Sequence, residues 1–281
     1  RLASLAPIPL AVTAIAALKG AGWTPVGDDL LLWNGIVSAL PDRWTHPVPA
    51  GQAPTPARKP AGQVVRACFS PDGSLFATGC RDGMITVRST MSAGPAAEFS
   101  AVPGSLRFLV VSSDNTCLVY SGEDGTVHGY SLQGYAHIWS FEDNGNATAL
   151  ALSSDSRFVF IGNEKGCLYV LDARDGMLLH TLQVHPVPVT CLVHNPGGSS
   201  AACGFADGTV SMINYGDASS PRLFPGNGSP IRALTFSPAG AELLALYEQG
   251  YPLLLDSTTG KKTRTFTGHT GRAVCSAVSA E

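Results

Sequence analysis

The sequence carries little charge for its size. Of its 281 residues, 14% are Asp, Glu, Lys or Arg, whereas an average soluble domain has about 25%. The formal net charge of −3 offers none of the basic surface that binding to nucleic acid or to an acidic membrane requires. We therefore expect no nucleic-acid partner.

Paired cysteines are also missing. The seven cysteines are odd in number and widely spaced, and no Cys-x-x-Cys pair occurs. This pattern excludes the usual zinc-site spacing and argues against a disulfide framework. We expect reduced thiols in an intracellular, reducing compartment, with the cytoplasm as the first choice. The first residue is Arg instead of Met, which leaves a processed organellar (mitochondrial) protein, or a fragment of a longer one, as the alternative.

Motifs for catalysis are absent as well. The sequence contains no nucleophile elbow, no phosphate-binding glycine loop and no paired-carboxylate motif. Its seven histidines are scattered, with no two at metal-ligand spacing on one predicted strand. The sequence therefore predicts a protein that is not an enzyme and has no catalytic residue, no cofactor and no metal site.

Internal repetition indicates the architecture. Five similar stretches begin at Phe69, Val111, Leu152, His194 and Phe236, so their starts lie 42, 41, 42 and 42 residues apart. Each holds an apolar run, a polar turn, a second apolar run, a tight turn and a third alternating run. A constant period near 40 residues is typical of propeller blades. We predict an all-β fold, a β-propeller of four-stranded antiparallel blades.

Glycine at one place in every unit supports this prediction. The tight turn of the five units holds, in order, Gly83, Gly125, Gly166, Gly208 and Gly250. A tight hairpin requires a positive φ, which glycine adopts without steric cost. Asp directly precedes the glycine in three of these turns and suits the same turn class. The five turns are therefore predicted to be one hairpin used five times.

These features resemble the WD-repeat family of β-propellers. The resemblance rests on F-S-P-D-G at Phe69–Gly73, on the Asp82-Gly83 hairpin with its four copies, and on Gly268-His269 at the start of the last unit. It covers about Gln63 to Val278. One feature departs from the family, because no Trp-Asp dipeptide ends the third strand of a unit. The resemblance therefore depends on the period and the turns.

The two ends of the chain bear on the number of blades. Five full units are followed by a single strand in Gly268–Ser279, and propellers avoid open edge strands because these invite aggregation. We expect residues 1–46 to contribute the closing strands, with Leu30–Asn34 among them, which gives six blades rather than seven. Residues 47–62, with five prolines, are predicted to be an exposed loop, and residues 63–281 the propeller. The alternative is an irregular or helical extension over residues 1–60.

The resemblance implies a structural polar pair inside a blade, between a His on the loop into the unit and the Asp of its hairpin. One complete pair is readable, His185 with Asp207, and we expect a hydrogen bond between them. His269 would make the equivalent contact in the shared last blade, with Asp28 or Asp29 as its partner. Asp82 and Asp124 are also assigned structural roles.

The resemblance further implies that the face with the hairpins binds peptides or proteins. The candidates for this face are Arg81, Glu123, Lys165, Phe205 and Tyr251. Phe205 is the strongest of them if it is exposed, because aromatic side chains anchor partners, and the alternative is that it packs inward. We predict a non-catalytic interaction scaffold, a subunit of a larger multiprotein assembly. Two alternatives are a propeller tethered to a membrane through residues 1–18 and an enzyme with a pocket at the channel mouth.

Overall fold

The structure, a computed structural model, describes residues 63–90, 97–101, 104–142, 146–215 and 221–267. These residues form twenty β-strands and no helix. The all-β fold predicted from the sequence is therefore confirmed. The strands group into five sheets of four, numbered here in chain order.

The bounds of the strands are as follows. Sheet 1 contains β1 (Val64–Phe69), β2 (Leu75–Cys80), β3 (Met84–Ser89) and β4 (Ala97–Ser100). Sheet 2 contains β5 (Phe108–Val111), β6 (Cys117–Ser121), β7 (Val127–Ser131) and β8 (Ala136–Phe141). Sheet 3 contains β9 (Ala147–Leu152), β10 (Phe158–Asn163), β11 (Cys167–Asp172) and β12 (Leu178–Gln183). Sheet 4 contains β13 (Val189–His194), β14 (Ser200–Phe205), β15 (Val210–Asn214) and β16 (Arg222–Phe224). Sheet 5 contains β17 (Ile231–Phe236), β18 (Glu242–Tyr247), β19 (Leu253–Asp256) and β20 (Lys262–Thr265).

Every sheet is an antiparallel meander in which consecutive strands are neighbours. The first strands of consecutive sheets contact one another, from β1 to β5, β9, β13 and β17. They are therefore the inner strands, and the fourth strand of each sheet is the outer one. This is the arrangement of a β-propeller, and the five sheets correspond to the five units predicted from the sequence.

The same irregularity recurs in the inner strands. In sheets 1, 3, 4 and 5 the pairing of the first strand with the second skips one residue near its start, namely Val65, Thr148, Thr190 and Arg232. A bulge of this kind increases the local twist of a strand pair. Its repetition shows that the units share backbone geometry as well as turn residues.

Four apolar clusters lie between consecutive sheets. One joins Ile85 of sheet 1 to Leu118 of sheet 2, and the next joins Val119 of sheet 2 to Ile161 of sheet 3. The remaining two lie between sheets 3 and 4 and between sheets 4 and 5. Because successive side chains of a strand point to opposite faces, a strand such as β6 is buried along its whole length. The core is therefore divided among the interfaces between sheets.

The hairpin prediction is confirmed. Gly83, Gly125, Gly166, Gly208 and Gly250 all have positive φ, between 75° and 107°. The predictions about residues 1–62 and about the strand that follows Gly268 lie outside the described residues. Six-blade closure therefore stays a prediction.

The hairpin glycine Gly166 leaves almost no room for a side chain. A Cβ there would overlap the carbonyl oxygen of His185 and lie 2.5 Å from that of Val187. We expect Gly166→Ala to lower the free energy of unfolding by about 3 kcal/mol or more, because backbone atoms must move and a positive φ is retained. Gly198 is the matched control, since it is exposed and a Cβ added there would have no atom within 4 Å. Gly198→Ala should change stability by less than about 0.5 kcal/mol in the same urea titration, and equal effects of the two variants would contradict the steric argument.

Candidate interaction surface

The strand order divides the loops between two rims. Turns from the second to the third strand, together with the loops between sheets, lie at one end of the meanders and form what we name the hairpin rim. Turns from the first to the second strand and from the third to the fourth lie at the other end and form the turn rim. Side chains at either rim are held by the strands behind them.

Four of the five candidate binding residues lie exposed on the hairpin rim. Arg81, Glu123 and Lys165 are at the tips of the hairpins of sheets 1, 2 and 3. Tyr251 directly follows the hairpin glycine of sheet 5, and 49% of its surface is exposed. The structure therefore distributes these four side chains around one rim.

The fifth candidate, Phe205, is not on this surface, so the prediction of an exposed anchor was wrong. Its side chain is fully buried in the cluster between sheets 3 and 4. The physical reason is that Phe205 is the last residue of β14 and pairs with Val189 of the inner strand. The equivalent residues Cys80, Asn163 and Tyr247 are also buried, but their side chains differ in polarity, so the repeat carried no sequence signal for burial.

His185 and Asp207 meet at the hairpin rim. His185 Nε2 lies 2.7 Å from Asp207 Oδ2, and Asp207 Oδ1 accepts a hydrogen bond of 2.9 Å from the backbone N–H of Thr209. The His185 ring also packs edge-on against Phe205, with 5.1 Å between ring centroids. Burial alone would raise the pKa of Asp207, but the hydrogen bonds from His185 and Thr209 hold it below its usual value. The pair joins the loop that leads into sheet 4 to the hairpin of that sheet.

The aspartates of other hairpins act locally. Asp82 Oδ1 accepts a hydrogen bond of 3.2 Å from the backbone N–H of Met84, and Asp124 Oδ1 accepts one of the same length from Thr126. Each carboxylate thus closes its own turn, as Asp commonly does two residues before an N–H. His269 lies outside the described residues, as do Asp28 and Asp29.

The turn rim contains a polar network that the sequence alone did not reveal. In sheets 1, 2 and 3, a Ser donates a hydrogen bond of 2.5–2.6 Å to the Asp two residues later, in the pairs Ser70–Asp72, Ser112–Asp114 and Ser153–Asp155. The same Ser oxygen accepts a backbone N–H from the second strand, at 2.9 Å in each case. The signal in the sequence is the repeated Ser-x-Asp, which by itself indicates only a β-turn.

Hydrogen bonds on the turn rim also cross from one sheet to the next. Asn115 Nδ2 donates to Asp72 Oδ2 at 2.7 Å, and the backbone N–H of Asp114 donates to Ser156 Oγ at 3.1 Å. Asn115 and Ser156 have φ of 59° and 61°, at the position that Gly73 occupies in sheet 1. A left-handed conformation is unfavourable for such residues, so the side chains that bridge the sheets are on strained backbone.

His194 links sheets 3 and 4 on this rim. Its Nδ1 accepts a hydrogen bond of 3.3 Å from the backbone N–H of Ser154, and its Nε2 lies 2.7 Å from the hydroxyl of Tyr215. Because Nδ1 accepts, the ring proton is on Nε2 and points to Tyr215. Burial lowers the pKa of His194, and the carboxylate of Asp155 opposes this effect only in part. A neutral imidazole is therefore built into the contact between the two sheets.

The His185–Asp207 pair should behave as a structural contact. We expect His185→Ala and Asp207→Asn each to lower the free energy of unfolding, with a coupling of about 1 kcal/mol in a double-mutant cycle, as for a hydrogen bond between partly exposed side chains. The control cycle combines His185→Ala with Asp124→Asn in the hairpin of sheet 2. A coupling as large in the control, or none in the pair, would refute a direct stabilising bond.

The neutral state of His194 gives stability a pH dependence. Its pKa in the folded protein lies below the value of 6.5 for an unperturbed His, so its contribution is complete above that value and is lost as the pH falls through the folded pKa. His194→Phe should flatten the decline in unfolding free energy between pH 7 and pH 5, since Phe69 and Phe236 fill the equivalent position in sheets 1 and 5. His180→Phe, on the exposed outer strand β12, is the control that should keep the wild-type slope. Parallel curves for wild type and His194→Phe would disprove the assignment.

Metal sites and membrane-spanning helices are two other features that the described residues could contain. Among the residues that the structure describes, no group of three or more His, Cys, Asp or Glu side chains is placed to hold a metal ion. Within the same ranges, no helix has the length and hydropathy needed to cross a membrane.

Comparison with known families and proteins agrees with the repeated architecture. The family model described as "WD domain, G-beta repeat" matches residues 58–88 and 176–214. The chain is similar to "WD repeat-containing protein SL1-17" of Schistosoma mansoni, with 26% identity over 51% of this chain and 47% of the relative. It is similar to the "U3 small nucleolar RNA-associated protein 18 homolog" of Mus musculus, with 28% identity over 65% of this chain and 33% of the relative.

A third relative is the "Periodic tryptophan protein 2 homolog" of Caenorhabditis elegans. It shares 24% identity over 67% of this chain and 20% of its own length. The chain spans less than half the length of each of these three relatives. Together with the five repeated sheets and their glycine hairpins, these matches support the resemblance to the WD-repeat family that the sequence indicated.

Proposed function

We propose that this chain is a non-catalytic scaffold that binds other proteins through its hairpin rim, as one subunit of a larger assembly. The observation that carries the proposal is the placement of Arg81, Glu123, Lys165 and Tyr251, exposed on one rim and each set on a separate hairpin. A rigid sheet behind each hairpin fixes where these side chains lie before a partner arrives. Such preorganisation reduces the entropy that binding loses.

The chemistry of the rim suits recognition of a protein surface. Arg81 and Glu123 form no ion pair with any described residue, so their charges are available to a partner. Tyr251 adds a large amphipathic side chain of the kind that is enriched at the centres of interfaces. Charges of both signs and an aromatic residue on the same rim favour a specific partner over a uniformly charged polymer.

The name of one relative supports an assembly as the setting. The mouse relative described above is named for association with the U3 small nucleolar RNA. We infer a multiprotein complex for this chain, with contacts to protein and none to nucleic acid. The net charge of −3 supports that choice, since phosphate contacts need Lys and Arg in excess.

The thiols support a reducing, intracellular compartment. Six cysteines lie in the described residues, and all six are free. Burial raises the pKa of Cys68 and Cys191 to about 12, which keeps these thiols protonated and unreactive at neutral pH. We propose the cytoplasm as the location, with an organelle that imports processed proteins as the alternative.

Purification of the tagged chain from cells with chemical cross-linking tests the proposal. A rim variant with Arg81→Glu, Glu123→Lys and Tyr251→Ala should recover at least about tenfold less of each cross-linked partner, as expected when a binding anchor is lost. The control variant reverses Lys261, Lys262 and Arg264 to Glu on or beside the outer strand β20, and it should recover the partners at the wild-type level.

Two outcomes would overturn the proposal. Undiminished recovery with the rim variant, combined with loss in the β20 variant, would place the interface on the outer edge. Recovery that disappears after ribonuclease treatment would show that nucleic acid joins the chain to its partners. Thermal melts of both variants should match that of the wild type, because all the substituted side chains are exposed.

A further inference from the structure

Two histidines converge on one oxygen at the outer edge of sheet 2. His128 Nδ1 lies 2.9 Å from Ser140 Oγ, and His137 Nε2 lies 2.8 Å from the same oxygen. The two ring centroids are 5.7 Å apart, in an edge-on arrangement. Because both nitrogens are within hydrogen-bonding distance of the same oxygen, both can be directed at a single atom that takes its place.

The backbone explains why these side chains share a face. His128 is on β7, and His137 and Ser140 are on β8, with His128 opposite Ser140 and Tyr130 opposite His137. The register shifts between Gly129 and Tyr130. His137 and Ser140 are therefore three positions apart on β8, whereas their partners Tyr130 and His128 are two positions apart on β7. This bulge re-aims His137 toward the same oxygen, as bulges often do near sites.

One ring of the pair is held in position. The His128 ring stacks on Tyr120, with 5.1 Å between centroids and 24° between planes, and Tyr120 is buried. His128 Nε2 is buried and has no hydrogen-bond partner. Nδ1 is therefore the nitrogen that a ligand from solvent can reach, and it is the one that faces His137.

The charges around the pair favour a cation. The carboxylates of Asp124 and Glu142 act electrostatically on the His128 ring. They would stabilise a positive ion at the same place.

We propose that His128 and His137 form a binding site for a divalent transition-metal ion that prefers imidazole ligands, such as Zn²⁺. The protein contributes two nitrogens, in agreement with the absence of a group of three or more His, Cys, Asp or Glu ligands among the described residues. Water completes the coordination, and the Ser140 hydroxyl gives up its hydrogen bonds to the rings. Zinc–nitrogen bonds of about 2.0–2.1 Å require the two nitrogens to come closer together, and exposed His137 can move toward the fixed His128 ring.

The site differs from the proposed binding rim. It uses His128 and His137 on β7 and β8, neither of which the scaffold proposal uses, so its failure would leave that proposal unaffected. The sequence did not indicate it, because its two ligands come from different strands and meet only through the β7–β8 register. A search for histidines on one strand cannot find such a pair.

Calorimetric titration of the full chain with ZnCl₂, and with MgCl₂ for comparison, tests the proposal at pH 7.5. We expect saturable binding of Zn²⁺ and none of Mg²⁺, which prefers oxygen ligands. His128→Gln and His137→Ala should each weaken the binding at least about tenfold, because either change leaves a single imidazole. Glu142→Gln should weaken it less, through loss of charge alone.

His180→Ala is the matched control, since His180 is an exposed histidine on the outer strand of sheet 3. It should leave the affinity unchanged and so separate this pair from other exposed histidines. His137→Ala alters an exposed side chain and should melt as the wild type does, which keeps the test independent of folding. Equal Zn²⁺ affinity in wild type and His137→Ala, or no binding by the wild type, would overturn the proposal. Loss with only one of the two histidine variants would do the same, because it would mean a single ligand.

Discussion

Apolar packing between neighbouring sheets is the interaction on which the rest of the structure depends. A single four-stranded sheet of this chain has two apolar faces and cannot bury either of them alone. Strand β6 illustrates this, because all five of its residues are buried while Leu118 packs toward sheet 1 and Val119 toward sheet 3. Each sheet is therefore stable only between its neighbours, and both rims are positioned by that stacking.

Polar turns then fix how the stacked sheets meet. Apolar side chains are not directional, so they do not by themselves set the angle between two sheets. The hydrogen bonds from Asn115 to Asp72 and from Asp114 to Ser156 supply that direction. Asn115 and Ser156 keep a left-handed backbone, which costs on the order of 1 kcal/mol of stability for each residue. Glycine at these positions would avoid the strain, but it has no side chain to form the hydrogen bond to the next sheet.

Most of the fold could be predicted from the sequence, because its strongest signals are local. The period and the five glycines depend on turn geometry, which a few adjacent residues determine. The contacts between sheets could not be predicted, because they depend on residues about 40 positions apart. Trp139 is an example, since its indole N–H donates to Ala173 O at 2.9 Å and its ring needs the space left by Gly129 and Gly176. Phe205 was misplaced for the related reason that a position beside a hairpin does not reveal which face it occupies.

The sequential order of the interfaces has a consequence for how the molecule responds to damage. The four apolar clusters connect sheet 1 to 2, 2 to 3, 3 to 4 and 4 to 5, so the described sheets form a linear array of nearest neighbours. In such an array the free energy is approximately a sum of unit and interface contributions. A destabilising substitution in one sheet then weakens the packing of its two neighbours directly, and it affects more distant sheets only through them. The described part of the protein is thus a chain of separable cooperative units whose candidate binding residues can be lost or altered one hairpin at a time.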